Sequence, residues 1–234
     1  MHVGTFSIAA YDPSTGCAGV AVSTCMPAIG ALTVFADGNS GAVATQALIN
    51  PLLGVDGLEL LRTRSAEETL RALLDADPGA DSRQVAVVDA RGGAAAHTGA
   101  ETHPWSGHRT GPGFAVAGNM LVDARTVEAM ADRFTATGGE PLHARLIQSL
   151  EAGQRAGGDR RGKQSAALRV STGEPYPHLD LRVDDHPEPV AELRRIYEVA
   201  KRDLLPFVDA LPTRSNPSGR FHELLDAADE TSGR

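Results

Sequence analysis

The sequence predicts a mixed α+β protein in which two stacked antiparallel sheets carry helices on their outer faces. The predicted strands are apolar at successive positions, as expected for strands that are buried on both faces rather than half-solvated. The predicted elements follow the order strands, two helices, strands, two helices, strands and one helix. This order departs from the regular alternation of a parallel βαβ protein and favours two sheets enclosed by helices.

The first fifty residues are predicted to form four strands. The first begins at Thr5, and the turn-forming residues 12–16 favour a hairpin with the second strand. Small apolar residues continue on both faces of the later runs, which is typical of strands between layers. The second, third and fourth strands are predicted around Val20 and Val22, over 29–36 and over 42–47.

Two helices and a longer series of elements follow. Leucines after Pro51 predict one helix. Ser65 and Glu68 form a capping box at the start of a second helix, in which each side chain satisfies a free backbone amide. The turn residues 77–79 end that second helix. The remaining predictions are strands at 84–89, 94–98 and 114–117, helices at 124–135 and 142–154, strands at 166–170 and 179–183, and a last helix at about 189–211.

Composition excludes several classes of protein. The 22 Lys and Arg against 30 Asp and Glu give a net charge of −8, which argues against a nucleic-acid partner. No apolar run approaches the roughly 20 residues that cross a membrane, and the first residues lack the pattern of a secretory signal. Two cysteines cannot form a disulfide framework. We therefore expect a cytoplasmic protein with no membrane partner.

The domain organisation is predicted to be simple. Residues 1–211 are expected to form one domain, because no repeat or linker interrupts the pattern of elements. Beyond Pro212 the composition becomes polar, so residues 212–234 are expected to form a loose tail with one short helix near 221–228.

Thr5 is the first candidate catalytic residue. A threonine hydroxyl is a weak nucleophile unless a neighbouring base removes its proton. Cleavage between Gly4 and Thr5 would supply that base on the same residue, as an α-amine with a pKa of about 7.7–8.0. The preference of threonine for strands is the alternative explanation of its position.

A series of short motifs gives this threonine a context. The motifs are TFSI at 5–8, GVAVS at 19–23, GAVATQA at 41–47, NP at 50–51, WSGH at 105–108, GN at 118–119, AGGDRRG at 156–162, QSAA at 164–167 and DLRVDDHP at 180–187. With these motifs, residues 1 to about 210 resemble the domain of unknown function 1028 family. That family is grouped with the N-terminal-nucleophile hydrolases. The resemblance implies a four-layer αββα sandwich and a nucleophilic Thr5.

The start of this chain differs from the family pattern. Members typically place the matching threonine close to the start, often directly after the initiator methionine. Here His2, Val3 and Gly4 also precede Thr5, so removal of Met1 alone leaves its amine in a peptide bond. Self-cleavage after Gly4, or a different start site, is therefore required for the expected chemistry.

Chemistry and membership of the motifs select the other candidate residues. Asn119 is a candidate donor to an oxyanion, with a structural role in a turn as the alternative. Thr45 and Gln46 end an apolar strand and are candidates for catalysis and for substrate binding, respectively. Their alternative role is to satisfy the amides of a loop.

A glycine-flanked loop supplies two further candidates for substrate binding. Arg160 suits bidentate binding of a substrate carboxylate, and its neighbour Asp159 could instead pair with an arginine to fix the loop. His108 and Gln164, both in the motifs, complete the substrate-binding candidates.

The predicted function is hydrolysis of an amide C–N bond in a small soluble metabolite, by Thr5 and without a metal or organic cofactor. The partners expected are a small-molecule substrate and, because the last helix has an apolar stripe, further copies of the chain in a homodimer or higher homo-oligomer. Two alternatives stay open. One is a non-catalytic ligand-binding or assembly protein with the same fold, and the other is a metal-dependent hydrolase using His108 and Asp185.

Overall fold

The computed structural model describes residues 4–223, which form a mixed α+β fold. The capping box predicted from Ser65 and Glu68 is present at the start of the third helix. The helices are α1 (Gly30–Thr33), α2 (Leu52–Leu61), α3 (Ala66–Ala76), α4 (Arg125–Ala136), α5 (Leu142–Arg155), α6 (Pro189–Asp203) and α7 (Leu205–Asp209). The strands are β1 (Thr5–Asp12), β2 (Cys17–Thr24), β3 (Val34–Asp37), β4 (Gly41–Ala47), β5 (Arg83–Asp89), β6 (Ala94–Thr98), β7 (Gly107–Gly111), β8 (Phe114–Asn119), β9 (Ser165–Ser171) and β10 (Pro177–Val183).

The strands form two antiparallel sheets, as the sequence predicts. The six-stranded sheet has the order β10-β9-β2-β1-β8-β7, and the four-stranded sheet has the order β3-β4-β5-β6. The predicted hairpin of β1 and β2 is also confirmed, with Asp12 opposite Cys17 and Thr5 opposite Thr24. At this end of the six-stranded sheet β9 begins at Ser165, and at the other end it finishes at Ser171. We call these the Thr5 end and the Ser171 end.

Three apolar cores hold the elements together. The first packs the six-stranded sheet against α4, α5 and α6, with Ile8 and Leu146 among its buried residues. The second lies between the sheets and consists largely of alanine and valine, with Val20 as an example. The third packs the four-stranded sheet against α2 and α3, with Val85 and Leu70 buried. Most strands therefore bury both faces, which explains their continuous apolar runs.

Three elements differ from the sequence predictions. The predicted strand over 29–36 begins as α1, because the Thr33 hydroxyl donates to the Ile29 carbonyl oxygen at 2.9 Å and completes a helical turn. The predicted last helix ends at Asp203 and resumes as α7, which contains Pro206, a residue with no N–H to continue the helix. The strand β7 was not predicted, because its glycines and exposed polar residues show no apolar alternation.

The C-terminal prediction is only partly within the described residues. Residues 212–223 follow the body of the fold, where the Tyr176 hydroxyl donates to the Pro212 carbonyl oxygen at 2.8 Å. The helix predicted near 221–228 extends outside the described residues. Within residues 4–223 no helix is long and apolar enough to cross a membrane.

Candidate functional site

Thr5 lies on the inner face of the six-stranded sheet. Side chains alternate between the two faces of a strand. In β1, Phe6 belongs to the core beneath the helices and Ala9 to the core between the sheets, so Thr5 also points between the sheets. Its exposed fraction is 0%. The candidate nucleophile is therefore buried at the edge of the layer between the two sheets.

The hairpin brings a second hydroxyl to Thr5. Thr24 is directly opposite Thr5 and is also buried. The Thr5 hydroxyl donates to the Thr24 hydroxyl at 3.4 Å, a long contact for two hydroxyl groups, and the Thr24 hydroxyl donates to the carbonyl oxygen of Gly4. Thr24 thus connects the hydroxyl of Thr5 with the carbonyl of the peptide bond that precedes it.

A guanidinium group is the second donor to the Gly4 carbonyl oxygen. Arg161 Nη2 lies 3.0 Å from this oxygen and 2.7 Å from Asp159 Oδ2, and Arg161 Nε donates to Asp159 Oδ1 at 3.1 Å. The Asp159 side chain is only 1% exposed and also accepts from the backbone N–H of Cys25 at 3.0 Å. This bidentate pair holds the guanidinium in one orientation towards Gly4.

The loop after β8 positions Asp159. Leu121 forms a β-bridge with Asp159, and the N–H of Arg160 donates to the Met120 carbonyl oxygen at 3.0 Å. Met120 has a φ of 51°, in the left-handed region that residues with a side chain rarely adopt. A strained turn therefore lies beside Gly4.

Gly4 is the residue that this close packing permits. A Cβ atom at position 4 would lie 2.8 Å from Asp159 Oδ1 and 2.8 Å from Met120 Cβ. Both distances are shorter than van der Waals contact, so any side chain would displace the carboxylate or the turn. The Gly4–Thr5 peptide bond can therefore lie directly against the buried ion pair.

Three buried amide side chains lie on the other side of Thr5. Gln46 Nε2 donates to Gln84 Oε1 at 2.7 Å and is 3.4 Å from the Thr5 carbonyl oxygen. The Ser7 hydroxyl donates to Gln46 Oε1 at 2.6 Å, and Asn119 Nδ2 donates to Gln84 Oε1 at 3.1 Å. Gln46, Gln84 and Asn119, which we call the amide cluster, are at most 1% exposed. The cluster fixes the start of β1 relative to the second sheet.

His108 connects the amide cluster to the protein surface. Gln84 Nε2 donates to the Thr98 hydroxyl at 2.9 Å, and this hydroxyl lies 2.8 Å from His108 Nδ1. His108 is exposed on one side, while burial of the rest of the ring, followed by the charge of His97, lowers its pKa. A neutral imidazole can accept a hydrogen bond from the Thr98 hydroxyl. The hydroxyl oxygen can then accept a hydrogen bond from Gln84 Nε2.

Comparison with known proteins establishes the family. Residues 5–193 match the model of a family of unknown function, DUF1028. The chain belongs to the DUF1028 family. The crystal structure of a protein from Silicibacter pomeroyi, also assigned to DUF1028, is similar to this one, with a TM-score of 0.83 and 31% sequence identity over 92% of this chain and 98% of that chain. No curated protein gives a significant match. The resemblance inferred from the motifs is therefore confirmed.

In this DUF1028 protein the predicted site residues fall into two groups. Four of them lie near the start of β1. Gln46 contacts the Thr5 carbonyl oxygen, Asn119 is opposite Thr5 in β8, and Asp159 lies beside Gly4. His108 is connected to Gln46 only through Thr98 and Gln84. Thr45 is separate, because it lies on the opposite face of β4 from Gln46 and its hydroxyl donates to the Asn50 carbonyl oxygen at 3.2 Å. Two further candidates for substrate binding, Arg160 and Gln164, make different contacts.

The partner of Asp159 is the arginine next to the predicted one. Arg160 is exposed, whereas Arg161 forms the bidentate pair. Gln164 extends the pairing of β9 with β2 through a backbone hydrogen bond of 3.0 Å to Thr24, and its side-chain amide donates to Asp185 at 3.2 Å. Neither Arg160 nor Gln164 contacts Thr5 in these hydrogen bonds.

Thr24, Arg161 and Gln84 are the residues that the sequence predictions missed in this DUF1028 chain. For two of them, Thr24 and Arg161, the sequence contains a signal that could have identified them. Continuing the hairpin pairing back from the turn at residues 12–16 places Thr24 opposite Thr5. An aspartate side chain often accepts from the N–H two residues later, and Asp159 Oδ1 does so from Arg161 at 2.9 Å, which folds Arg161 back onto it. Gln84 gave no signal beyond its place at a strand start.

The alternative of a metal-dependent hydrolase depends on His108 and Asp185, which make hydrogen bonds to different residues in the structure. His108 contacts Thr98, and Asp185 contacts Gln164. Within the described part of the chain, no group of three or more His, Cys, Asp or Glu side chains is arranged to hold a metal ion.

Proposed function

We propose that this protein is an N-terminal-nucleophile hydrolase that cleaves an amide C–N bond of a small soluble metabolite, with Thr5 as its nucleophile. The proposal includes the four-layer αββα sandwich of that superfamily. Its support is the order of the apolar cores, which runs from helices through the six-stranded sheet and the four-stranded sheet to helices again. A cytoplasmic location and assembly into homo-oligomers stay predictions.

The observation that carries the proposal is the arrangement around the Gly4 carbonyl oxygen. Two donors, the Thr24 hydroxyl and the Arg161 guanidinium, point at this oxygen, and the Thr5 hydroxyl contacts one of them. Donors fixed in this way stabilise the negative charge that develops when a nucleophile attacks a carbonyl carbon. The Gly4–Thr5 peptide bond is therefore arranged as the substrate of its own neighbouring hydroxyl.

Self-cleavage follows from this arrangement in two steps. Thr5 Oγ1 attacks the Gly4 carbonyl carbon, and collapse of the tetrahedral intermediate breaks the C–N bond and leaves an ester between Gly4 and Thr5 Oγ1. The hydroxyl proton goes to the departing amine, for which Thr24 provides a path. Water then hydrolyses the ester, releasing residues 1–4 and restoring the hydroxyl of Thr5 beside a free α-amine.

The same groups then serve an external substrate. The α-amine of Thr5, with a pKa of about 7.7–8.0 before any effect of its surroundings, acts as the base for the hydroxyl. Thr24 and Arg161, released from Gly4, bind the substrate carbonyl oxygen. Because Thr5 lies in the layer between the sheets and is 0% exposed before cleavage, the site suits a small molecule better than a folded protein.

Intact-mass and N-terminal analysis of the purified protein tests the first step. We expect wild type and Thr5→Ser to lack residues 1–4, and Thr5→Ala to retain them. The matched control is Thr69→Ala, which removes another fully buried threonine hydroxyl on α3, far from this site, and should be processed normally. In a screen of small amides, Thr5→Ala should lose at least about a thousandfold in turnover.

Two results would contradict the proposal. Hydrolysis by wild-type protein that still carries residues 1–4 would mean that the amine of Thr5 is not the base. Full-length wild-type protein with no hydrolysis would instead favour the non-catalytic member of the family.

A further inference from the structure

The Ser171 end contains a polar cavity far from Thr5. Its volume is about 340 Å³, and its charged lining residues are Arg62, Arg169, Arg214, Asp37 and Glu174. Ser171, also in the lining, is six residues along β9 from Ser165, which is roughly 20 Å for a strand. The cavity is therefore separate from the site around Thr5 and needs its own explanation.

Arg169 is the central residue of this cavity. It lies on the inner face of β9, next to β3 at the edge of the four-stranded sheet. It also lines a neighbouring cavity of about 270 Å³. One nitrogen, Nη1, donates to Asp180 at 3.2 Å. Its Nε is buried and has no hydrogen-bond partner in the structure of residues 4–223. The side chain as a whole is 35% exposed, so its remaining terminal donors are accessible to a ligand.

The other two arginines also have unused donors. Arg62 has an ion pair with Glu59 at 3.4 Å, but both side chains are more than 60% exposed, so this pair holds it weakly. The guanidinium of Arg214 has no hydrogen bond or ion pair among the described residues, although its backbone N–H donates to Glu174 at 3.1 Å. Three arginines thus line one cavity, and the hydrogen bonds and ion pairs of the described residues occupy only part of their donors.

The two carboxylates of the lining are already bound by neutral groups. Asp37 accepts from the Asn39 N–H and the Ser40 hydroxyl at 3.0 Å each, and Glu174 accepts from the N–H of Arg214. Among the described residues, neither carboxylate forms a salt bridge with an arginine of the cavity. The lining thus has three positive and two negative side chains, and two of the arginines, Arg169 and Arg62, each have one acidic partner outside it, Asp180 and Glu59.

We propose that this cavity binds an oxyanion, a carboxylate or phosphate group of a small molecule, through Arg169, Arg214 and Arg62. A guanidinium group presents parallel N–H donors that match two oxygens of either group. The site is independent of catalysis at Thr5. It makes the protein a binder of small anions even where processing is blocked.

Isothermal titration of the purified wild-type protein with inorganic phosphate, and separately with succinate, tests this site. We expect saturable binding of at least one anion, and the stronger of the two identifies the group. Arg214→Gln, in an exposed loop, and Arg169→Gln should each weaken binding by about tenfold or more. The matched control is Arg71→Gln, an exposed arginine on α3 outside these cavities, which should bind as wild type does.

Two outcomes would overturn the proposal. One is the absence of saturable binding of either anion. The other is equal binding by wild type and Arg214→Gln, with both shown to be folded by their thermal unfolding. Titration of Thr5→Ala separates this site from the proposed hydrolase, since the variant should bind the anion normally even though its processing fails.

Discussion

Polar side chains at the two ends of the layer between the sheets differ in how fully the protein satisfies their hydrogen-bonding groups. At the Thr5 end, Asp159 and Gln84 are almost fully buried, and each makes several hydrogen bonds within the protein. At the Ser171 end, Arg169 and Arg214 have donors that the protein leaves unused. A group that must be held in one geometry needs saturated partners, whereas a ligand site needs free ones.

The backbone contributes to this difference. At the Ser171 end the sheets are joined by a hydrogen bond of 2.9 Å from the N–H of Gly38 to the carbonyl oxygen of Thr172. A Cβ at Gly38 would lie 2.2 Å from that oxygen, so only glycine permits this contact. Since the backbone closes this end, side chains there need not satisfy one another. At the Thr5 end, side chains make the connection, through Gln46 and Ser7.

The largest effect on stability should come from the amide cluster. Gln84→Leu leaves Gln46 Nε2 and Asn119 Nδ2 as buried donors without their acceptor, and it also removes the bond to the Gly118 carbonyl oxygen. We expect the free energy of unfolding, measured by urea denaturation, to fall by about 3 kcal/mol. A loss below about 1 kcal/mol would show that the Thr5 end does not depend on these bonds.

A matched control separates loss of hydrogen bonds from loss of packing. Gln164→Leu changes the same residue type near the same end, but there the amide makes one side-chain bond, of 3.2 Å to Asp185, and is only half-buried. It should cost less than about 1 kcal/mol.

These contacts show where sequence reasoning succeeds. Alternation and turn chemistry placed Thr5 at the start of a hairpin, and the same rules fix its pairing with Thr24. Both are local properties of the chain, which is why the two sheets and most elements were predicted. The motifs alone are enough to identify the loop at residues 156–162.

The unpredicted parts depend on contacts between distant segments. Gln84 reaches Gly118 only because the two sheets stack, and Arg161 reaches Gly4 from 157 residues away along the chain. Choosing Arg161 over Arg160 also required the turn made by Asp159. Periodicity carries no information on such distances, so one sequence could identify the loop but not the arginine that contacts Gly4.

The same substitution at the two ends gives the most direct comparison. Arg161→Met leaves the buried Asp159 carboxylate without its charged partner and should lower the free energy of unfolding by about 2 kcal/mol. Arg169→Met breaks an ion pair whose side chains are 35% and 32% exposed, so it should cost less than about 1 kcal/mol. Urea denaturation of both variants measures the difference.

The two variants should also differ in processing. Arg161→Met should retain residues 1–4 at a temperature where it is folded, and Arg169→Met should be processed as wild type is. Equal losses of stability would mean that the two ends are equally constrained, and normal processing of Arg161→Met would remove this residue from the proposed chemistry.

The smallest effect concerns a titrating group outside both ends. His143 on α5 lies 2.7 Å from the Tyr197 hydroxyl of α6, and burial, followed by the charge of His178, lowers its pKa to about 4. The unfolded chain binds this proton below about pH 6.5 and the folded chain only near pH 4. The protein should therefore lose stability as the pH falls through this window, by about 1–2 kcal/mol once solvent at the half-buried ring is allowed for.

Urea denaturation at pH 7 and pH 4.5 measures this loss, with His143→Gln as the test and the exposed His222→Gln as its control. The first variant should show a smaller loss on acidification than wild type, because glutamine keeps a polar contact with Tyr197 and does not titrate. The second should behave as wild type. An unchanged loss in His143→Gln would place the acid sensitivity in another group of the protein.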